Sequence, residues 1–202
     1  MSAYKLTYFN ITGIGEPIRF LLSYGGADYE DKRIEFEEWP QYKHKTPMEQ
    51  VPILEIDGKV FHQTRAIGRY LARKFNLYSS DDLEAMEIDA TIDDIDDCRI
   101  FVSTYFREKD PAIKAKQKEI AHEKITFYLG KFEEQVKKNG GYFVGNKLSW
   151  ADITFTAIIE GCSNILEKDQ IEEFPALKKL TETVRSFPKI KAYIEKRPKT
   201  II

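Results

Sequence analysis

Residues 50–71, QVPILEIDGKVFHQTRAIGRYL, combine a peptide-pairing edge with a helix start. Val51-Pro52 directly precedes a predicted strand, and a cis bond at this tight entry would turn the backbone of Val51 outward, where an extended peptide can pair with it. Gln63 and Thr64 open the next helix, where free N–H groups, a hydroxyl and the helix dipole attract a carboxylate. A small peptide with a free α-carboxylate fits this combination. Simple capping of their own helix is the commoner role of such residues.

Two other groups of residues have side chains suited to binding. Tyr8 ends the first predicted strand, and a tyrosine hydroxyl there could hydrogen-bond a thiolate and lower the thiol pKa from about 8.5. Trp39 and Lys43 follow the second predicted strand and offer a ring N–H donor and a cation for a second carboxylate. The alternative is packing for Tyr8 and Trp39 and solvent exposure for Lys43.

An acidic run, IDDIDD, lies on a predicted helix and brings Asp93, Asp96 and Asp97 to one face. Crowded like charges destabilise a helix unless cations or a partner's donors offset them. A solvated face is the usual interpretation, and a Mg²⁺ or Ca²⁺ site or a subunit interface is the alternative. The three histidines lack metal-ligand spacing, so we expect no metal requirement.

The elements that position these residues form two groups. The first 76 residues predict a strand, a helix opened by Glu16-Pro17, a second strand, a loop, a hairpin around Asp57-Gly58 and a second helix. This is a thioredoxin-like β-α-β-β-β-α domain with its first two strands parallel, because a helix connects them. The first helix carries no Cys-x-x-Cys motif, which argues against dithiol exchange.

The rest of the chain predicts helices. Residues 77–82 form a polar linker, and residues 83–202 form an all-helical domain. Apolar periodicity predicts long helices over 82–108 and 111–138 and shorter ones over 175–186 and 188–196. Ser149 with Asp152 three residues later is typical of a capping box at the start of a further helix.

Composition limits the class of function. The chain has 202 residues, a net charge of −2 and no concentrated basic stretch, so nucleic-acid binding is not expected. It shows no apolar run that could span a membrane and no signal-peptide pattern. Cys98 and Cys162 are the only cysteines, and two isolated thiols are typical of a reducing compartment. We therefore expect a cytoplasmic protein.

The whole chain resembles the sigma class of cytosolic glutathione S-transferases, the class that includes haematopoietic prostaglandin D synthase and the S-crystallins. The motifs that carry the resemblance are YKLTYFN, GEPIRFLLSYG, RIEFEEWP, VPILEIDGKVFHQTRAIGRYLA, IDDIDD, GKLSWADITF and KIKAYIEKRP. The resemblance implies that Tyr8 stabilises the thiolate of glutathione, the co-substrate. It also implies that Trp39 and Lys43 bind the glycyl end.

The resemblance further implies that the segment around a cis-proline, formed by Gln50, Val51 and Pro52, pairs with the cysteinyl part. Gln63 and Thr64 then hold the γ-glutamyl carboxylate, with Thr64 keeping the hydroxyl of the serine common in the family. Asp97 corresponds to an acid that reaches the γ-glutamyl amine of the neighbouring subunit's ligand, which implies a homodimer.

The expected reaction is addition of glutathione to hydrophobic electrophiles such as lipid peroxidation products, a detoxification role. The expected electrophile pocket is lined by Phe9, Ile11, Ile14, Tyr105 and Ile202. Ile14 stands where prostaglandin D synthases carry Arg, which favours uncharged substrates. The alternatives are a glutathione-dependent prostaglandin D synthase and a non-catalytic crystallin-like or ligand-carrier protein.

Overall fold

The N-terminal third of the chain contains one mixed sheet with helices packed against it. The structure, a computed structural model, describes residues 3–200. The elements in this third are β1 (Tyr4–Phe9), α1 (Glu16–Gly25), β2 (Tyr29–Ile34), α2 (Trp39–Tyr42), β3 (Ile53–Ile56), β4 (Lys59–His62) and α3 (Thr64–Lys74). Leu6, Phe20, Leu22 and Leu71 are fully buried, so the apolar positions of β1, α1 and α3 form the core of this domain.

The sheet has the strand order β2-β1-β3-β4, which confirms the predicted thioredoxin-like arrangement. β1 and β2 are parallel and joined by α1, whereas β3 is antiparallel to both β1 and β4. The β3–β4 turn has positive φ at both Asp57 (51°) and Gly58 (83°). Two successive positive φ angles match the right-handed twist of the flanking strands, which is why an Asp-Gly pair occurs there.

The segment between β2 and β3, predicted as a loop, contains helical turns. α2 has four residues, with Pro40 in its first turn, and short 3₁₀ turns follow over Lys43–Lys45 and Pro47–Glu49. Proline has its φ preset for a first helical turn and needs no donor there. A helix of one turn is too short to produce a periodic apolar pattern, so the sequence analysis missed it.

Five helices build the second domain, and their bounds agree closely with the predicted ones. They are α4 (Asp82–Arg107), α5 (Pro111–Lys138), α6 (Trp150–Leu166), α7 (Pro175–Ser186) and α8 (Pro188–Lys196). α6 lies at the centre, against α1, α4 and α7. Within residues 3–200 no helix is both long and apolar enough to cross a membrane.

The predicted capping box at α6 is confirmed, and it extends further than the sequence indicated. Asp152 accepts hydrogen bonds from the N–H of Ser149 (2.6 Å) and from its hydroxyl (2.9 Å). Its second oxygen accepts the N–H of Phe143 at 2.8 Å. Because Asp152 is fully buried, one carboxylate both starts α6 and holds the preceding loop.

We expect Asp152→Ala to lower the free energy of unfolding by about 2–4 kcal/mol, because a helix cap is lost and buried donors lose their acceptor. Urea denaturation measures the change. Asp110→Ala is the matched control, because Asp110 caps α5 through the N–H groups of Ala112 and Ile113 at an exposed position. That variant should lose only about 1 kcal/mol. Equal losses in the two variants would contradict the wider role of Asp152.

Wild type and the Asp152→Ala variant also test how stability depends on pH. Burial raises the pKa of Asp152 to about 6, although hydrogen bonds from Phe143 and Ser149 oppose the rise. The unfolded carboxyl has an ordinary pKa of about 3.9, so between these values the folded state binds the additional proton. This contribution to stability is present at low pH and is lost as pH rises through about 6. The stability difference between wild type and Asp152→Ala should therefore be larger near pH 4.5 than at pH 7.

Candidate functional site

β1 and β4 end, and β3 begins, side by side at one end of the sheet. The last residues that pair across β1, β3 and β4 there are Thr7, Ile53 and His62. Tyr8 follows Thr7, Pro52 precedes Ile53 and Gln63 follows His62, so the sheet register brings these three together. The Val51-Pro52 bond is cis, as predicted.

Tyr8 is held in place from two sides. It is 6% exposed, its hydroxyl oxygen accepts the N–H of Ile14 at 3.2 Å, and the Arg19 guanidinium lies 5.6 Å from its ring centroid. Gly15 packs so closely that a Cβ atom there would lie 2.3 Å from the Tyr8 ring. Burial raises the pKa of Tyr8, so the hydroxyl keeps its proton at neutral pH and can donate it.

Arg19 fixes the loop that follows Tyr8. Its guanidinium donates to the carbonyl oxygens of Ile11 (2.6 Å) and Phe9 (3.2 Å). The same group forms a fully buried ion pair with Glu16 at 3.1 Å. Glu16 also accepts the Tyr193 hydroxyl of α8 at 3.0 Å. The backbone on either side of the Tyr8 pocket is therefore anchored through α1 to the second domain.

The start of α3 is uncapped by its own side chains. Gln63 occupies the N-cap position with φ 75° and forms no side-chain capping hydrogen bond. Simple capping, the alternative weighed for Gln63, is therefore not what the structure shows. A positive φ in a residue other than glycine is strained, and such strain concentrates at functional sites. The first N–H groups of α3 remain available to an external acceptor.

Trp39 and Lys43 lie along the other side of β1. The Trp39 ring packs edge-on against Phe9, with centroids 5.2 Å apart. The Lys43 ammonium lies 3.7 Å from the carboxylate of Glu49, which directly precedes Gln50 in the chain. The predicted binding segments are thus neighbours, with Glu49 as an additional acidic group beside Lys43.

A cavity of about 210 Å³ opens between the Tyr8 edge of the sheet, α4 and α6. Phe9, Ile11 and Ile14 line it, as predicted. The other lining residues are Tyr8, Thr12, Gly13, Phe36, Arg99, Val102, Ser103, Phe106, Arg107, Ala157, Ile158, Gly161, Cys162 and Ile165. Burial raises the pKa of the Cys162 thiol to about 12, so this group stays protonated.

Two residues predicted to line the pocket need separate comment. Ile202 lies outside the described residues. Tyr105 faces α5 instead, where its ring lies 5.4 Å from the Lys114 ammonium and 5.8 Å from that of Lys118. The next residue, Phe106, takes its place in the cavity, because successive helical side chains point about 100° apart.

A second cavity, of about 140 Å³, adjoins the first and shares Ile14, Arg99 and Ile158 with it. Gln63 and Thr64 line this second cavity. The uncapped helix start and the Tyr8 hydroxyl therefore face two connected spaces. The sequence analysis missed Arg99 and Arg107. Their spacing places them on one face of α4, but it does not tell which face meets a cavity.

Two of the four aspartates in the acidic run on α4 pair with cations. Asp93 pairs with Arg65, and Asp96 pairs with Arg99, whose Nη2 lies 2.6 Å away. Asp97 is exposed and lines neither cavity. Over the described part of the chain, no group of three or more His, Cys, Asp or Glu side chains is arranged to hold a metal ion.

Comparison with known proteins gives the family. The model described as "Glutathione S-transferase, N-terminal domain" matches residues 4–73, and "Glutathione S-transferase, C-terminal domain" matches residues 96–197. The chain belongs to the glutathione S-transferase family. It is 41% identical to a glutathione S-transferase of Anopheles gambiae over 201 residues, which cover 99% of both chains.

Solved structures show the same glutathione S-transferase fold. The chain is 48% identical to the prostaglandin synthase D of Nilaparvata lugens, with a TM-score of 0.94 and coverage of 98% of this chain and 100% of that one. A monomeric glutathione S-transferase of Necator americanus, Na-GST-3, is 32% identical, with a TM-score of 0.85 and 98% of both chains covered. The two-domain fold class expected from the resemblance is thus confirmed.

We expect Glu16→Gln to lower the free energy of unfolding by about 3 kcal/mol, because it removes one charge from a fully buried ion pair. Denaturant unfolding measures the loss. The control is Glu134→Gln, which breaks the exposed pair with Lys131 and should change stability by less than about 0.5 kcal/mol. A variant as stable as wild type would show that the pair does not anchor the Tyr8 loop.

Proposed function

We propose that the protein is a glutathione transferase that activates the thiol of bound glutathione at Tyr8. The observation that carries the proposal is the position of Tyr8, a buried residue that lines the first cavity, next to the second cavity that the uncapped start of α3 lines. A protonated hydroxyl can donate to sulfur and so favours the thiolate, the attacking species.

The proposed binding mode uses one group of residues for each part of glutathione. Trp39 and Lys43 bind the glycyl carboxylate through a ring N–H and a cation. The backbone around Pro52 pairs with the cysteinyl part in the manner of an added strand. The N–H groups and hydroxyl at Thr64, together with Gln63, bind the γ-glutamyl carboxylate, which the positive end of the α3 dipole also attracts.

The chemical step that we propose is conjugate addition to an activated alkene or a related electrophile. The thiol proton passes to water, and the thiolate forms a carbon–sulfur bond with the β-carbon. The alkene π pair becomes the new carbon–carbon double bond of an enolate, and the carbonyl π pair moves onto oxygen. A proton from water then restores the carbonyl compound. The apolar walls formed by Phe9, Ile11 and Ile14 suit lipid-derived substrates, which supports a detoxification role in the cytoplasm. Because the sequence motifs resemble the sigma class, we also propose that the protein belongs to that class of the family.

A prostaglandin D synthase is the second candidate. The 48% identity to the prostaglandin synthase D of Nilaparvata lugens favours it. Ile14 argues against it, because prostaglandin D synthases of the class carry a cation at that position. A crystallin-like or carrier protein is the non-catalytic alternative, in which the Tyr8 hydroxyl would serve only as the acceptor of the Ile14 N–H.

We also propose a homodimer. Leu54, Ile56, Phe61, Ile67 and Tyr70 line an open apolar groove on the outer side of β4 and α3. Phe61 and Tyr70 remain 38% and 42% exposed in the single chain, which is unusual for large apolar side chains grouped together. In the proposed homodimer a second copy covers this groove, and Asp97 of one subunit reaches the γ-glutamyl amine of the other subunit's ligand, as the resemblance implies. The monomeric Na-GST-3 is the counterexample within the family.

Tyr8→Phe tests the proposed activity. The variant keeps the ring and loses only the donor, so the fold should hold and the pKa of the bound thiol should rise towards its free value of about 8.5. Turnover at neutral pH should fall roughly ten- to a thousandfold, while glutathione affinity changes little. The measurements are thiolate absorbance against pH in the complex and kcat with a reactive electrophile. Wild-type values for both in Tyr8→Phe would exclude Tyr8 as the activating group.

Phe61→Glu tests the homodimer. A carboxylate in the groove would lose its hydration at the interface, and the Lys59 ammonium, which lies 5.2 Å from the Phe61 ring centroid, would offset only part of that cost, so sedimentation should shift towards the monomer. Glutathione affinity should fall with it if Asp97 acts across the interface. Ile113→Glu is the control, because Ile113 is 49% exposed on α5 and does not line the groove. If wild type sediments as a monomer and still binds glutathione, the dimer proposal is wrong.

A further inference from the structure

One face of α4 brings two cations to the main cavity. Arg99, Ser103 and Arg107 recur every four residues, so their side chains lie in one row, and all three line the cavity. The surfaces around this row are mainly apolar, and include Phe36 and Phe106. An arginine side chain that lines an apolar cavity is favourable only when an anion pairs with it.

Arg99 already has its anion. Its Nε and Nη2 atoms lie 2.8 and 2.6 Å from Asp96, and its Nη1 donates to the Ser103 hydroxyl at 2.8 Å. Only 17% of its side chain is exposed. The charge of Arg99 is thus balanced and its geometry is fixed, so it offers little to an incoming anion.

Arg107 has no such partner. Among the described residues no carboxylate forms an ion pair with it, and none lines the main cavity. The neighbouring carboxylates of Glu108 and Asp110 already accept hydrogen bonds from backbone N–H groups. Glu108 accepts the N–H groups of Lys109 (2.7 Å) and Asp110 (2.9 Å), and Asp110 accepts those of Ala112 and Ile113. Arg107 is therefore an exposed, uncompensated cation at the rim of an apolar space.

The charge of Arg107 also reaches the reaction centre. Arg99 and Arg107 both oppose the rise that burial causes in the pKa of Tyr8, so the guanidinium and the Tyr8 hydroxyl act within one cavity. A cation in the last turn of α4 also complements the helix dipole, which is worth about 0.3–1 kcal/mol of stability. That role alone would make Arg107 indifferent to the charge of a substrate.

We propose that Arg107 determines substrate specificity by binding the carboxylate of amphipathic electrophiles whose apolar chain fills the main cavity. This proposal rests on the proposed function and names its substrate class. It revises the expectation that Ile14 makes the pocket favour uncharged substrates, because Arg107 of α4 lines the same cavity. The carboxylate pairs with the guanidinium while the reactive carbon lies near the glutathione thiolate.

The test compares an ω-carboxylated 2-alkenal with its uncharged methyl ester. In wild type, kcat/KM should favour the acid. In Arg107→Gln, kcat/KM for the acid should fall about fivefold or more, while the value for the ester changes less than about twofold. Arg107→Lys keeps the charge and should keep most of the preference. Lys109→Gln removes one nearby cation that does not line the cavity and should leave both values unchanged.

Salt gives a second readout. The acid preference of wild type should weaken as ionic strength rises, because screening weakens an exposed ion pair. A purely structural role for Arg107 would lower thermal stability in Arg107→Gln and leave the ratio of acid to ester turnover unchanged. That result, or an equal loss for acid and ester, would overturn the proposal.

A binding measurement separates this proposal from the proposed function. Decanoate and decanol compete for the cavity with a fluorescent apolar probe and need no turnover. Decanoate should displace the probe from wild type at lower concentration than from Arg107→Gln, and decanol should not distinguish the two proteins. If no electrophile is turned over but this difference persists, transferase activity fails and the anion site stands. If turnover is normal but decanoate and decanol each displace the probe equally well from wild type and from Arg107→Gln, only the anion-site proposal is wrong.

Discussion

The carboxylate of Glu16 is the interaction on which the two halves of the molecule depend. It has no solvent exposure and meets Arg19 of its own helix, the Tyr193 hydroxyl and the Arg197 guanidinium. A buried charge is tolerated only when its partners are complete, so the helices that carry these groups cannot shift independently. Arg197 also pairs with Glu160 of α6, which extends the network into the centre of the second domain. Both domains therefore fix the position of Tyr8, although Tyr8 itself lies in the sheet.

The charged groups of this protein divide into those that are compensated and those that are left free. Arg19, Arg99 and Asp152 all have complete sets of partners, and each holds an element in place. Among residues 3–200 neither the α3 N-terminus nor Arg107 has such partners, and both lie beside cavities. A charge that is paired inside the protein holds its element in place. A charge without an internal partner can still gain free energy by pairing with a ligand. We therefore expect ligands to bind at the α3 N-terminus and at Arg107.

The sequence predicted the elements well and the directions of individual side chains less well. The long helices carry apolar stripes over several turns, and Asp110, Ser149 and the Asp57-Gly58 turn set boundaries by local chemistry that needs no tertiary information. Tyr105 was wrong because an error of one position on a helix rotates a side chain by about 100°. Arg99 and Arg107 were missed because the face that α4 turns to the cavity depends on its packing against α5 and α6. Such packing is not visible in one sequence.

Three of the seven described residues with positive φ that are not glycine lie beside segments of the proposed glutathione site. Met48, Glu49 and Gln63 all have positive φ without being glycine. Each such residue is unfavourable by about 1–3 kcal/mol unless the surroundings enforce it. The surroundings here are a fully buried Leu54 in β3 and a buried Ile67 and Leu71 in α3, which fix the chain on either side. The core thus holds Gln63 in a conformation that leaves the first N–H groups of α3 uncapped. A ligand carboxylate that accepts those N–H groups would satisfy donors that the fold itself leaves open.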